Sequence, residues 1–175
     1  MDNVDRIIAS VSRICGDERA DPGTALARVC ALLRAEVAHY DWVGYYIALP
    51  AQRLLVLGPF EGAPTDHIRI PYGRGICGQA AATGKPFVVQ DVMAEANYLA
   101  CSLSTKSEVV LPIYEGSNLV GELDIDSHTT RPFTDADDVL LGKVVELTAR
   151  HVAALARDLT VDDQAEPVNQ RNAPR

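Results

Sequence analysis

The sequence predicts a single α+β domain built on a largely antiparallel sheet. Three observations lead there: helical periodicity confined mainly to the two ends of the chain, six short strand-type runs gathered between them, and a tight-turn signal joining the last two runs. The 175 residues suffice for one core and are short for two. An apolar share of 47% is that of a folded globular chain.

The first element, Val4 to Ile14, reads as an amphipathic helix, broken by the stretch Gly16 to Gly23 with its Pro22. A second helix is expected from about Thr24, where Leu26, Val29, Cys30, Leu33 and Val37 recur at steps of three and four and so share one buried face. Cys15 and Cys30 fall within these apolar patterns and read as inert core. Strand signals follow at Trp42 to Leu49, Leu54 to Pro59, Ile68 to Pro71, Phe87 to Gln90, Glu108 to Tyr114 and Leu119 to Asp126. Within that central part only Ile76 to Thr83 reads as helix. Gly116-Ser-Asn118 is a hairpin signal, which makes at least the last two strands antiparallel. A long helix from Asp135 to about Leu159 is expected next, capped by Thr134, with Asp135, Asp137 and Asp138 in the first turn where the helix dipole favours them. The expected domain is thus residues 1–159, with N-terminal helices in 1–39, sheet and site loops in 40–127 and the C-terminal helix in 134–159. Residues 160–175 are polar, carry two prolines and are expected to be a disordered tail.

Composition excludes several functions. No apolar run approaches the roughly 20 residues of a membrane helix, and the first residues lack a basic and apolar signal pattern, so a cytoplasmic protein without a membrane partner is expected. With 24 acidic against 16 basic residues the net charge is -8, which would repel a nucleic-acid backbone. The 4 cysteines show no CxxC and no zinc-finger spacing, so their chemistry in a reducing compartment is expected to be redox or nucleophilic.

Gly73, Gly75 and Gly78 match GxGxxG, but the strand, βαβ unit and distal acid of a dinucleotide site are missing; a flexible lead into the helix near Ile76 explains them as well. That turn places Cys77 in the first turn of a helix, where free backbone N–H groups and the dipole favour a thiolate, with Arg74 adding positive charge. Cys101 lies in a loop of small and hydroxyl residues, outside any apolar period. Two such thiols suit an attacking and a resolving cysteine, in an order that the residues leave open. Alternation in Leu119 to Asp126 puts Glu122, Asp124 and Asp126 on one strand face, and Glu108 opens the neighbouring strand just after the Cys101 loop. On a solvated face such acids only aid solubility; clustered, they would raise at least one pKa and keep a proton for donation near neutral pH. Trp42, Gly44 and Tyr46 share another strand face, and the missing side chain at Gly44 leaves a slot between two flat walls, fit for a methyl or a cation. Carboxylates for an ammonium, an aromatic slot and two redox-competent cysteines suit a small zwitterionic, sulfur-containing substrate.

Asp41-Trp-Val-Gly-Tyr-Tyr46, Leu57-Gly-Pro-Phe60, Ile70-Pro-Tyr-Gly-Arg-Gly-Ile-Cys-Gly78, Tyr98-Leu-Ala-Cys101, Ser107-Glu-Val-Val-Leu-Pro112 and Leu123-Asp-Ile-Asp-Ser127 together resemble the free methionine-(R)-sulfoxide reductases, over roughly residues 40 to 150. The resemblance implies a GAF domain: a central, mostly antiparallel six-stranded sheet flanked by N- and C-terminal helices, commonly dimeric. It makes Cys101 the nucleophile, Cys77 the resolving thiol, Glu108, Asp124 and Asp126 the substrate-binding acids, and Trp42 and Tyr46 the walls around the substrate methyl. It further implies free methionine sulfoxide as partner, a sulfenic acid and an intramolecular disulfide, a thioredoxin-like dithiol as reductant, and neither a metal nor a bound organic cofactor. Two departures stand out: His67 replaces a cysteine typical of the family, which suggests a two-cysteine variant, and Ser102 stands where an aspartate is usual. The competing reading is a GAF module that binds a small ligand for sensing, without catalysis.

Overall fold

The computed structural model describes residues 3–95 and 104–165, the last five as backbone alone. Helices α1 (Asn3–Gly16) and α2 (Pro22–Glu36) precede strands β1 (Trp42–Leu49), β2 (Leu54–Glu61) and β3 (Arg69–Pro71). Helix α3 (Gly75–Thr83) then leads to β4 (Phe87–Val89), β5 (Ser107–Glu115), β6 (Asn118–Ser127) and the long helix α4 (Asp135–Ala165). The strands form one six-stranded sheet in the order β3-β2-β1-β6-β5-β4, and every neighbouring pair is antiparallel. All six expected strands and four helices are present, with ends shifted by no more than two residues except at the C-terminal end of α4.

The sheet's two faces have separate cores. Val43, Tyr45, Ile47, Val109, Ile113, Leu123 and Ile125 point to one side and pack with α1, α2 and α4. The alternate residues Trp42, Tyr46, Ala48 and Val110 point to the other and pack with Ile76, Cys77, Ala80 and Ala81 of α3. A period of two along each strand produces this division, so the central strands are apolar on the helix-covered side and free to carry other chemistry on the α3 side. Cys15 and Cys30 are buried in the first core, where burial pushes both thiols up.

Local signals explain most boundaries. Asp21 accepts the Thr24 N–H at 2.9 Å and caps α2, with Pro22 at its first position. Strands β5 and β6 join through Gly116 and Ser117, Gly116 at φ +63°, so the turn is a two-residue hairpin. The start of α4 differs from expectation: the Asp137 carboxylate accepts from the Thr134 N–H at 2.8 Å and its hydroxyl at 2.9 Å, so the cap works from inside the helix backward. Asp137 also accepts from Tyr40 at 2.8 Å and lies 2.8 Å from His39, which ties α4 to the segment before β1. The helix continues through Ala165, past Leu159 and into the stretch expected to be disordered, because adding residues to an existing helix costs little. Among the described residues no helix is long and apolar enough to cross a membrane.

Candidate active site

The α3 side of the sheet carries a three-by-three array fixed by register. Trp42 pairs with Asp126, which pairs with Glu108; Gly44 pairs with Asp124, which pairs with Val110; Tyr46 pairs with Glu122, which pairs with Pro112. The expected juxtaposition of Glu108 with the β6 acids is therefore present, and Glu108 and Asp126 are direct cross-strand partners. Burial decides what these acids are for: none of Glu108, Glu122, Asp124 and Asp126 is more than 2% exposed, so they are not a solubilising face.

Helix α3 makes that burial possible. Gly73 and Gly75 take φ +89° and +65° around Arg74, a turn that L side chains adopt with difficulty. A side chain at Gly78 would bring its Cβ within 2.5 Å of the Pro71 carbonyl oxygen, so α3 begins hard against the end of β3. The helix thereby lowers Cys77 onto the acids: its Sγ lies 3.3 Å from Asp124 Oδ2 and 3.7 Å from Glu108 Oε1. The sequence pointed to the helix N-terminus as the thiol's main neighbour, with Arg74 assisting. In the fold Arg74 is exposed and the thiol donates toward the carboxylates.

Confinement of four carboxyl groups away from water raises all of them. Burial is the leading cause at each, and the negative charge of Asp124 adds to it at Glu108, Glu122 and Asp126. Asp124 itself is pushed up to about 7, less than burial alone would give, because the Cys77 thiol and its own strand's backbone hydrogen-bond to it. Among the described residues, Glu108 Oε2, Asp124 Oδ1 and Asp126 Oδ1 find no hydrogen-bond partner, and the Cys77 thiol is the group that reaches toward Glu122. Buried, unsatisfied and mutually repelling groups are costly to retain in a fold, and a cationic ligand is the chemical species that would relieve them.

Trp42 and Tyr46 stand on the same face with ring centroids 6.4 Å apart and planes 29° from parallel, and Phe60 stacks on Trp42 at 5.4 Å. The slot foreseen above Gly44 is not open, however. A Cβ there would fall 2.2 Å from Trp42 Cη2, so the absent side chain is filled by the indole's own edge. Trp42 Nε1–H donates to the Ala63 carbonyl at 3.1 Å and the Tyr46 hydroxyl to the His67 carbonyl at 3.0 Å, which fix both rings. His67 itself is half-buried just before β3.

A pocket of about 130 Å³ opens beside the array. Trp42, Thr105 and Asp126 form its buried part, and Arg34, Asp41, Ser104 and His128 its more exposed rim. The His128 backbone N–H donates to Asp41 Oδ2 at 2.7 Å, and His128 Nε2 lies 3.0 Å from Ser104 Oγ. Sequence reasoning did not single out this rim; it placed Glu122 on the acid face of its strand, but the resemblance gave that residue no substrate role. Asp41 and His128 adjoin Trp42 and Ser127 in the motif segments, which was the available signal; Arg34 sits on the polar side of a helix and carried none. Cys101 and Ser102 lie outside the described residues.

The GAF domain family model matches residues 21–155. The chain is 38% identical over 137 residues to Protein YtsP of Bacillus subtilis, covering 78% of this chain and 83% of that one. It is 38% identical over 120 residues to the free methionine-R-sulfoxide reductase of Escherichia coli, covering 69% and 71%. A solved structure of free methionine-R-sulfoxide reductase from Neisseria meningitidis in complex with its substrate superimposes with a TM-score of 0.79 at 33% identity, covering 89% of this chain and 91% of that one. This chain therefore belongs to the GAF domain family, in the group whose relatives include proteins named free methionine-R-sulfoxide reductase.

Proposed function

We propose that this chain reduces free L-methionine-(R)-sulfoxide to methionine. One observation carries the reading: a buried nest of carboxylates without a cation partner among the described residues, set beside a thiol, an aromatic pair and a pocket. A free amino acid brings the ammonium that such a nest lacks, and a peptide-bound methionine does not. The likeness to two proteins named for this reaction supports the substrate and its stereochemistry.

In the proposed chemistry Glu108, Asp124 and Asp126 receive the ammonium, and Trp42 with Tyr46 borders the S-methyl group. Three peptide links tether Cys101 to Ser104 at the pocket rim, a reach of about 11 Å, which allows its sulfur to attack the sulfoxide sulfur. One of the buried carboxyl groups, all raised by burial, protonates the sulfoxide oxygen; the substrate S–O bond breaks as that oxygen bonds to the Cys101 sulfur, so methionine leaves and Cys101 becomes a sulfenic acid. The Cys77 thiol condenses with it, releasing water and forming a disulfide, and a thioredoxin-like dithiol returns both sulfurs to thiols at the expense of its own oxidation.

The test is methionine release from the R epimer and, separately, the S epimer, with dithiothreitol present, for wild type and Cys101→Ser. Turnover of the R epimer alone, abolished in the variant, is expected. No methionine from wild type would leave a ligand-sensing GAF module as the better reading.

A further inference from the structure

The same cluster has the geometry of a cation site. Cys77, Glu108 and Asp124 each offer a ligand atom, and these atoms all lie within 4.8 Å of one another. A tetrahedral zinc ion with bonds of about 2.3 Å to sulfur and about 2.0 Å to oxygen separates those donors by about 3.5 Å. The observed separations from Cys77 Sγ are 3.3 Å to Asp124 Oδ2 and 3.7 Å to Glu108 Oε1. Asp126, outside that triad, supplies an independent observation: it is 1% exposed, stands opposite Glu108 across the ladder on the same face as Asp124, and its Oδ1 has no hydrogen-bond partner among the described residues. One thiol with carboxylates suits a thiophilic ion of the zinc class, whereas magnesium and calcium require more oxygen donors in larger shells.

We infer that, in the absence of substrate, Cys77, Glu108 and Asp124 hold a thiophilic divalent cation, and that this cation competes with substrate for the acids. Binding forms a metal–thiolate bond and two metal–carboxylate bonds and releases the Cys77 proton together with those held by Glu108 and Asp124, with no change in oxidation state. The competition rests on the reductase reading above, because it assigns Glu108 and Asp124 to the substrate ammonium; the cation site itself does not. The proposed effect is inhibition by an ion that fills the nest, relieved by substrate or a chelator.

Co²⁺ is the probe, added anaerobically to pre-reduced full-length protein. Wild type and Cys101→Ser are expected to show a near-ultraviolet thiolate-to-cobalt charge-transfer band with the visible bands of tetrahedral Co²⁺. Cys77→Ser is expected to lose the charge-transfer band, and Glu108→Gln to bind at least ~10-fold more weakly. Absence of the band in wild type, or a band that survives in Cys77→Ser and vanishes in Cys101→Ser, would overturn the site. Should Cys77→Ser fail to fold, an unchanged affinity in Glu108→Gln overturns it equally. Zn²⁺ is expected to raise KM for the sulfoxide without lowering kcat; a fall in kcat at constant KM would overturn the competition. Cobalt bands without methionine release would leave the cation site standing and remove the reductase reading, and methionine release without cobalt bands would do the reverse.

Discussion

Glu108 and Asp126 are direct partners across the β5–β6 ladder, both buried, on the face covered by α3. Like charges opposite each other in a sheet are destabilising, so the pair marks a site whose energy is set by something that binds there.

This arrangement makes the ligand-free protein sensitive to pH. Asp124 rises from 3.8 to about 7 on folding, chiefly by burial. Below pH 3.8 it is protonated in both states and contributes nothing differential. As the pH climbs toward 7 the folded state keeps a proton that the unfolded chain has lost, so stability falls, and above 7 the loss is constant. At about 1.4 kcal/mol per pKa unit the loss from this group is on the order of 4 kcal/mol. A melting temperature that decreases from pH 5 to pH 7.5 is expected, and one that is flat over that range would refute the charge burial.

Asp124→Asn separates stability from function. It removes a buried, repelling charge and is expected to melt higher than wild type at pH 7.5, with a shallower pH dependence. The same change removes a ligand for the ammonium and is expected to raise KM for the sulfoxide at least ~10-fold, about 1.4 kcal/mol. Thermal melts and steady-state kinetics on one preparation check both; a less stable variant with an unchanged KM would contradict the assignment.

Gly44→Ala tests how the aromatic wall is held. The new Cβ would stand 2.2 Å from Trp42 Cη2 and 2.9 Å from Phe60 Cβ, so the indole must leave its place. A cost of about 1–3 kcal/mol in stability is expected from the overpacking. Trp42 is the only tryptophan in the chain, so its fluorescence reports the displacement directly. An unchanged spectrum with unchanged stability would show that the ring has room to yield.

Tyr46→Phe removes the hydroxyl that donates to the His67 carbonyl at 3.0 Å while keeping the ring. A loss of about 1 kcal/mol is expected from denaturant melts, with a smaller change in KM than the Gly44→Ala variant gives. A larger effect on KM than on stability would place the hydroxyl itself against the substrate.

Much of this site was legible because β-strand alternation is a strong constraint. The phase of Gly121 to Asp126 separates acids from apolar residues, but the hairpin at Gly116 alone would set Glu108 opposite Ile125; a one-residue register shift between Ile113 and Tyr114, which the sequence does not announce, brings it opposite Asp126. What alternation cannot tell is whether a polar face is wet. That depended on the glycine turn bringing α3 down onto the sheet, a tertiary event with no periodic signature, and for the same reason Cys77 met carboxylates rather than only the helix N-terminus. At Gly44 the sequence shows a missing side chain but not which neighbour leans into it, and the Trp42 indole closes the expected slot. At Thr134 the residues of the cap were recognisable while the direction of its hydrogen bonds was not, since Asp137 at the third helical position competes for the same role. Arg34 and His128 reach the pocket rim from distant elements, and only the fold brings them together.

The most direct measurement is a single turnover without reductant. Pre-reduced protein is mixed with excess free L-methionine-(R)-sulfoxide, released methionine is quantified, and the oxidised chain is mapped by peptide mass spectrometry. About one equivalent of methionine together with a Cys77–Cys101 disulfide is the expected result. No methionine, or methionine accompanied by a disulfide that involves Cys15 or Cys30, would contradict the proposed reductase site.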